Sequence, residues 1–493
     1  MREDASTAET PVALASTSVA GADVPVTLPA VALPASRRQP RAWPTLGPVA
    51  GRAANGTLLL GTLAIVATAA SGPSILAPRS VQVFPNWDAG PLHSLISRPI
   101  TDPKTLGVAF SAVLVVMLLA YAAAMLAVRS LSMRTIVLAV LALNLVLLLS
   151  PPMQLTDLFN YVGYARLGAL HHLNPYTHTI QQELFDPVNG FASWHNLRSP
   201  YGPLFTALTY PLAFVPLPVA YWAVKLATVA MSLAFVGLVW RCARQLGRDP
   251  RFAVAFVALN PIVLVYAVEG FHNDFFMLVP MLAAISLLLS RRDRGAGAVL
   301  MLAVAVKFTA VLLLPFLLVA ARTKPRRIQL TIGAAAAAVP LIVMDLALFG
   351  LSLPNLSQQS TLLTGWSIPN VFGLLIHVGG GTPTLLRIAV VGVVLVVAHQ
   401  FYRNRDWLAG AGWSTLALIA SLSWLMPWYV VWLLPLAALS RSTRLRWAAA
   451  VLTVYLMFTF LPVVNTYLSD HNISLLATPA GHATSSLQYK LAR

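Results

Sequence analysis

The sequence has few charged residues and almost no cysteine. Only 10% of its 493 residues are charged, against about 25% in soluble proteins. With one cysteine, Cys242, the chain can form neither an internal disulfide nor a cysteine-ligated metal cluster. It also has no glycine-rich phosphate loop, no dinucleotide-binding fingerprint and no His/Asp spacing typical of a zinc site. These absences argue against a soluble enzyme and against a nucleotide-binding site.

Long apolar runs dominate what is present, and hydrophobic residues make up 58% of the chain. Runs near the ~20 residues needed to cross a bilayer predict an all-α polytopic membrane protein with one membrane body. We predict thirteen transmembrane helices, at about 57–76, 106–128, 135–151, 218–240, 252–270, 274–290, 296–306, 308–321, 328–349, 383–401, 407–425, 428–440 and 446–464.

The basic residues predict the orientation of these spans. The formal net charge of +17 does not require a nucleic-acid partner, because membrane proteins concentrate Arg and Lys in cytoplasmic loops. With the N-terminus in the cytoplasm, inner segments hold 23 basic residues and outer segments 8, with Lys225 and Arg387 inside spans. The positive-inside rule therefore predicts a cytoplasmic N-terminus and places Asp157 on the outer side.

The chain divides into three regions by composition. Residues 1–55 are rich in Ala, Pro, Ser and Thr and poor in aromatics, which predicts a disordered cytoplasmic tail. Residues 56–464 form the membrane domain, in which 152–217 make a large outer loop with short interfacial helices. Residues 465–493 are predicted to be a short extracytoplasmic tail.

Three stretches are each predicted to form a short hairpin, because basic residues flank both of their ends. They are 252–290, 296–321 and 407–440. Short or broken spans persist at membrane depth only where protein or a wet cavity covers their backbone. All three tips are predicted on the side of Asp157.

Asp157 follows an apolar span and immediately precedes Leu158. Two roles are open for it. An external carboxylate suits general-base catalysis, in which it accepts the proton of a sugar hydroxyl. Aspartate is also a common N-cap residue, here for a helix that begins at Leu158.

Four residues are candidates for neutralising a phosphate leaving group, whose charge grows during transfer. Lys307 is the strongest, because a lysine between two short spans is costly unless it meets an anion or water; the alternative is snorkelling to the interface. Arg387 lies just inside a span. Arg166 can pair with Asp157, with a phosphate or with water. His272 can donate a proton or a hydrogen bond to the phosphate, or it can belong to a polar turn that joins two helices.

The outer segments are also rich in tyrosine and tryptophan. These aromatics suit carbohydrate stacking, and they equally suit anchoring at the membrane interface. Glu269 and Asp274 flank the first hairpin tip, but two isolated acids do not define a metal site. We therefore predict no metal and no other cofactor.

Several short motifs occur in a characteristic order. They are Asp157 with Tyr161 and Arg166, Asn174-Pro175-Tyr176, Tyr201-Gly202-Pro203, Asn260-Pro261, Gly270-Phe271-His272-Asn273-Asp274, Lys307 before Leu314-Pro315, and Ile368-Pro369-Asn370. Over roughly residues 57–463 this order resembles the actinobacterial polyprenol-phosphomannose-dependent α-1,6-mannosyltransferases of the GT-C glycosyltransferase superfamily. One departure is Leu158-Phe159-Asn160 after Asp157, where the family often has Tyr-Ser-Tyr.

The resemblance implies a GT-C-like fold whose early outer-loop acid, here Asp157, is the catalytic base. It implies a polyprenyl phosphomannose donor, metal-independent transfer with inversion, and a glycolipid, mannan or lipomannan acceptor at the outer face of the plasma membrane. Donor phosphate is then expected at Lys307 with Arg166, His272 or Arg387. Substrate contacts are expected at Tyr161, Asn174, Tyr176, Tyr201, Asn273, Asp274, Trp366, Asn370 and Trp428.

Other functions stay open at this stage. The donor can instead be polyprenyl phosphoarabinose, which the sequence does not distinguish from the mannose donor. A transporter or flippase of lipid-linked sugars is a different class, although such proteins usually have repeated halves and polar groups near the midplane, and no repeat is evident here. A non-catalytic envelope scaffold would tolerate replacement of the outer acids.

Overall fold

The apolar runs form α-helices, and no β-strand occurs in the part of the chain that the structure describes. The computed structural model describes residues 45–70, 90–92, 102–151, 157–350, 352, 354, 361–403 and 406–492. Most of the predicted N-terminal tail, up to residue 44, lies outside these ranges. So do residues 152–156 of the predicted outer loop.

The α-helices of the described residues are numbered here in chain order. They are α1 Pro48–Ala70, α2 Pro103–Ala127, α3 Met133–Leu149, α4 Leu158–Ala169, α5 Pro203–Thr209, α6 Leu217–Gln245, α7 Pro250–Ala258, α8 Asp274–Leu289, α9 Asp293–Val306, α10 Leu314–Ala320, α11 Lys324–Phe349, α12 Ile368–Leu375, α13 Pro383–Arg403, α14 Trp407–Ser421, α15 Val430–Leu439, α16 Thr443–Thr459, α17 Pro462–Asp470 and α18 Pro479–Ala492. A π-helix, Val263–Val268, follows α7, and 3₁₀ turns include Tyr210–Phe214, Phe308–Leu313 and Pro427–Tyr429.

Polar residues at the helix starts explain several of these boundaries. Asp102 accepts a hydrogen bond from the Thr105 N–H at 2.8 Å and so caps α2. Ser132 caps α3 in the same way, and Asp406 and Ser442 cap α14 and α16. Such side chains satisfy N–H groups that have no partner inside the helix. The termini are therefore set locally, by residues that the sequence shows directly.

The helices are long and apolar enough for several membrane crossings. Among the described residues five helices qualify, α1, α2, α6, α11 and α13, and a sixth crossing arises if the bent pair α16 and α17 is one span. Six shorter apolar helices add to these. Within the described residues each predicted span overlaps helical structure, so an all-helical, multi-pass architecture is confirmed, while the total of thirteen crossings stays a prediction.

Both predicted tails include helical residues among those that the structure describes. The first helix begins at Pro48, inside the range 1–55 predicted as a disordered tail. The predicted tail 465–493 contains the end of α17 and the whole of α18. The end of α18 contacts the large loop, because the Asn196 N–H donates to the Leu491 carbonyl at 2.9 Å and His195 Nδ1 lies 2.6 Å from the Ala492 carbonyl oxygen.

The core lies around α7, the π-helix, α8 and α15, where most side chains are buried. By contrast, α13 has no buried residue. Pro261 interrupts the first of these segments because it has no N–H to donate, and the π-helix follows. Such π-helical turns often occur at functional sites. The chain then turns at residues 269–273, and this turn carries the site described below.

Candidate active site

Asp157 occupies the N-cap position of α4 without capping the helix. The helix begins at Leu158 as predicted, but the Asp157 side chain accepts no hydrogen bond from it. Its Oδ2 instead lies 3.3 Å from Nδ1 of His272, and 27% of the side chain is exposed. The capping alternative is therefore wrong. Asp157 is instead a partly exposed carboxylate next to the imidazole of His272, which leaves general-base catalysis as the open role.

His272 is buried and held in one orientation. Its ring stacks on Trp428, with centroids 3.6 Å apart and an interplanar angle of 14°. A Cβ on Gly270 would collide with the His272 Nε2 atom and with the Tyr266 carbonyl oxygen, so the turn requires glycine at this point. Phe271 has a positive φ of 54°, which is uncommon for a non-glycine residue. The strained backbone of this turn thus orients the imidazole toward Asp157.

Two tyrosines line the same carboxylate. Burial raises the pKa of Tyr201 well above its usual value, as do the negative charge of Asp157 and a hydrogen bond with it. Tyr201 therefore keeps its proton and acts as a donor to Asp157. Tyr161 packs edge-on against Tyr201, with ring centroids 4.8 Å apart, and its hydroxyl accepts the Asn273 N–H at 3.1 Å.

Lys307 and Asp274 form a second charged pair. The Lys307 Nζ atom lies 2.7 Å from Asp274 Oδ1, with side-chain exposures of 25% and 1%. Asp274 also accepts the indole N–H of Trp432. The lysine ammonium lies 4.8 Å from the Trp432 ring centroid and 5.5 Å from that of Tyr429. Lys307 is thus held by an anion and by aromatic faces.

One turn joins the two pairs. His272, Asn273 and Asp274 are consecutive; the first faces Asp157 and the third faces Lys307. Two peptide steps span at most about 7 Å. The turn therefore brings a potential base and a partly exposed cation to the same region, and the buried Asn273 Nδ2 and Asp274 Oδ2 atoms there have no partner within the described residues.

The acids near this turn have partners of their own. Asp274 pairs with Lys307, and Glu269 accepts a hydrogen bond from the Ser150 hydroxyl at 3.1 Å. Across the described ranges, no group of three or more His, Cys, Asp or Glu side chains is arranged to hold a metal ion. These residues therefore form no candidate metal centre.

Arg166 stabilises the large loop. Its Nε atom donates to both oxygens of Asp186 at 2.8 and 2.9 Å, and its Nη1 donates to the Ala213 carbonyl at 3.0 Å. His171 Nε2 lies 2.8 Å from the same Asp186 carboxylate. Arg166 therefore pairs with Asp186 and not with Asp157. The guanidinium already has an anionic partner inside the loop.

The Asp186 carboxylate should make the loop sensitive to acid. Burial acts to raise the pKa of Asp186, but hydrogen bonds from Arg166, His171 and the Val188 N–H outweigh burial and lower it below the ordinary value. A lowered folded-state pKa contributes stability above the unfolded pKa of about 3.9, and this contribution is lost as the pH falls through the folded value.

We expect Asp186→Asn to lower the melting temperature of the detergent-solubilised protein at neutral pH, by an amount that shrinks as the pH falls below about 4.

The matched control is Asp470→Asn. Asp470 pairs with Lys104 at 3.4 Å, but both side chains are more than half exposed, and such pairs contribute little. An Asp186→Asn effect as small as that of Asp470→Asn, or one that does not change with pH, would contradict this account.

The remaining predicted residues have structural contacts. The Asn174 side chain donates to the Phe349 carbonyl at 2.7 Å, and the Tyr176 hydroxyl donates to the Tyr201 carbonyl at 3.0 Å. Asn370 is fully buried and bonds the backbone of Gly365, Leu475 and Gly381.

Within the described residues, no hydrogen bond, ion pair or ring contact joins Trp366 or Arg387 to the turn at residues 269–273. The Trp366 ring packs against Phe458. Arg387 is exposed on α13. Within the described residues it makes no hydrogen bond or ion pair with another predicted site residue. Trp432 and Tyr429, in contrast, contact the Lys307–Asp274 pair but were not among the predicted site residues. Their closeness in sequence to Trp428, which was predicted, could have indicated them.

An apolar groove, open to solvent, has Trp432 in its lining. It lies between α8, α14, α15 and the 3₁₀ turn after Lys307. Its lining is almost entirely apolar: Met277, Met281, Thr309, Ala310, Leu312, Leu313, Ala411, Thr415, Leu418, Trp432 and Leu436.

The chain is thus a multi-pass helical protein in which one turn carries an acid–imidazole pair and a lysine–acid pair. Each of two family models matches more than half of the length of this chain. The model of the α-(1→6)-mannopyranosyltransferase N-terminal domain matches residues 58–323, and that of glycosyltransferase family 87 matches residues 200–462. The chain belongs to the α-(1→6)-mannopyranosyltransferase family, and the family resemblance seen in the sequence is confirmed.

Individual relatives agree with this membership. The chain is 29% identical to α-(1→6)-mannopyranosyltransferase A of Mycobacterium tuberculosis over 352 residues, which are 64% of this chain and 67% of the relative. It is 23% identical to α-(1→6)-mannopyranosyltransferase B of Corynebacterium glutamicum over 364 residues, 64% of this chain and 60% of the relative. It is 31% identical to the C. glutamicum enzyme A over 129 residues, 25% and 26% of the two chains. No solved structure is significantly similar to the chain.

Proposed function

We propose that this protein transfers mannose from a polyprenyl phosphate donor to a lipid-linked mannan or lipomannan acceptor, with inversion and formation of an α-1,6 linkage. The relatives are named as α-(1→6)-mannopyranosyltransferases, which supports the sugar and the linkage. The single observation that carries the chemistry is the turn at residues 272–274, which joins the Asp157–His272 pair to the Lys307–Asp274 pair.

Asp157 acts as the general base in this proposal. Oδ2 is held by His272, and the exposed part of the carboxylate can reach an acceptor hydroxyl. As the acceptor oxygen attacks the anomeric carbon, its proton passes to Asp157. Tyr201 and His272 hold the carboxylate in place, and the stacked Trp428 fixes the imidazole plane. A single displacement by the acceptor converts a β-linked mannosyl phosphate into an α-mannoside.

Lys307 receives the leaving group. When the bond from the anomeric carbon to the phosphate oxygen breaks, its electron pair stays on the phosphate, and the ammonium of Lys307 neutralises the growing charge. Lys307 is a quarter exposed, so a phosphate can approach it without displacing Asp274. Asp274 and the rings of Trp432 and Tyr429 keep the ammonium at a defined position.

The groove beside Trp432 supports a lipid-linked donor. It is apolar, and Trp432, one of its lining residues, also contacts the Lys307–Asp274 pair, so a polyprenyl chain beside Trp432 would leave its phosphate near Lys307. A donor of this kind fits an active site on the outer face of the plasma membrane, where cytosolic nucleotide sugars are absent. The distribution of basic residues supports that sidedness, with the N-terminus in the cytoplasm.

A direct transfer assay tests the proposal. The full-length protein in lipid nanodiscs is supplied with labelled polyprenyl phosphomannose and a synthetic α-1,6-dimannoside. We expect a labelled trimannoside whose new linkage is α-1,6, undiminished by EDTA, and no product from GDP-mannose. Unlabelled polyprenyl phosphoarabinose is the competitor, and it should not lower the yield. No product from the lipid donor, or stronger use of the arabinose donor, would contradict the proposal.

A further inference from the structure

A second charged network lies behind the candidate site, inside the membrane body. Lys225 is on α6 and only 1% exposed, although α6 is one of the helices able to span the membrane. Charged residues in such helices are rare because they are costly, and those that occur usually pair with other polar groups and mark functional positions. Lys225 plays no part in the mechanism proposed above.

The three protons of the Lys225 ammonium meet three oxygen acceptors. It donates to the Ser150 carbonyl, to the Ser150 hydroxyl at 3.2 Å and to the Tyr221 hydroxyl at 3.1 Å. The Ser150 hydroxyl has two acceptors for its proton, the Leu147 carbonyl at 2.7 Å and Glu269 Oε2 at 3.1 Å. Glu269 is also 1% exposed. A buried cation and a buried anion are therefore linked through one serine.

The network touches the turn that carries His272 and, through Ser150, the end of α3. Ser150 is the C-cap of α3, seven positions before Asp157. Glu269 follows the π-helix and lies three positions before His272. Lys225 also lies 5.5 Å from the ring centroid of Phe271, the residue with the strained backbone in that turn. The same ammonium thus contacts the end of α3 and supports the turn that presents His272.

We propose that the Lys225–Ser150–Glu269 network holds the turn at residues 269–272 and so positions His272 against Asp157 for proton transfer. This inference rests on the proposed function, because it assigns the network to the same reaction. Its members are positioning residues, since they reach the reacting atoms only through that turn. A buried ion pair is a poor source of stability, because well-packed apolar residues often replace such a pair without loss. Placement of this turn gives the charged network a role that apolar packing would not supply.

The test compares single and double variants. Lys225→Met leaves Glu269 buried without its cation, and Glu269→Gln leaves the ammonium without its anion, so we expect each to lower the melting temperature of the purified protein. The double variant Lys225→Met/Glu269→Gln removes both charges and should recover most of that loss. Its kcat should nevertheless remain lower by on the order of 100-fold, because a displacement of about 1 Å at a reacting group costs that much. The KM for the acceptor should change by no more than about twofold.

Two further variants keep the comparison decisive. Ser150→Ala removes the hydroxyl link to Glu269 and one acceptor of Lys225 but keeps the Ser150 carbonyl, so we expect a kcat about 10-fold lower and a loss of melting temperature smaller than that of Lys225→Met. Thr228→Val changes another buried polar residue on α6, one turn further along, and should leave kcat unchanged.

Wild-type kcat in both the double variant and Ser150→Ala would overturn the positioning role. Melting temperatures that add independently in the double variant would overturn the network itself. This second readout needs no substrate. An inactive wild-type protein would count against the proposed function, and the melting temperatures would still test the network.

Discussion

Asp157→Asn should reduce transfer from polyprenyl phosphomannose by a factor on the order of 10²–10⁴, the usual contribution of a general base. The asparagine amide has the same shape but cannot accept the proton of the acceptor hydroxyl. Because the Asp157 side chain makes no cap hydrogen bond, the helix start at Leu158 should survive the change. The measurement is kcat in lipid nanodiscs, together with protein yield and melting temperature.

Glu183→Gln is the matched control for that experiment. Glu183 belongs to the same loop, its side chain is 33% exposed against 27% for Asp157, and it lies 3.4 Å from His171 rather than near His272. Its replacement should change kcat by no more than about twofold. Wild-type turnover by Asp157→Asn would refute its assignment as the base, whereas an equal loss in Glu183→Gln would indicate a general effect of loop charge.

Lys307→Met should lower kcat by on the order of 10²–10³, as expected when one group that neutralises developing charge is removed. It should also destabilise the protein, since Asp274 is 1% exposed and would lose its cation. Breaking a buried pair in this way typically costs about 3–5 kcal/mol, and the partial exposure of Lys307 places the expected cost below that range. Turnover and melting temperature are measured on the same preparation.

A double variant separates the two effects. Lys307→Met/Asp274→Asn removes both charges, so it should recover stability while its turnover stays low. Lys307→Arg keeps the positive charge and should retain more activity than Lys307→Met. If the double variant recovers both stability and turnover, Lys307 serves only to neutralise Asp274 and does not act on the phosphate.

Much of the fold was predictable because its causes are local. Apolar runs place the helices, and residues such as Asp102 and Ser132 set helix starts within one turn. The helix break at Lys307 was also predicted; α9 ends at Val306, and Lys307 has an extended backbone with φ −154° and ψ 118°. The helical content of the C-terminal tail was not predicted, because α18 has a polar sequence and contacts the distant residues His195 and Asn196.

The candidate site was only partly predictable. The sequence indicated Asp157, His272, Lys307 and Trp428, but not how they pair. It assigned Arg166 to a phosphate, whereas the guanidinium binds Asp186, twenty positions along the chain. Trp432 went unnoticed because an aromatic residue in an apolar run looks like ordinary core. Lys225 was the clearest missed indication, since a lysine within a span calls for a partner.

The sequence by itself determined that this chain is a helical membrane protein, since the free energy of moving a segment into lipid depends on its own composition. It also determined the order of the motifs that place the chain in its family. Only the tertiary structure decided which charges meet. His272 reaches Asp157 across 115 positions, and Lys307 reaches Asp274 across 33. Side-chain pairing depends on how the helices pack in three dimensions, and composition carries no record of that geometry.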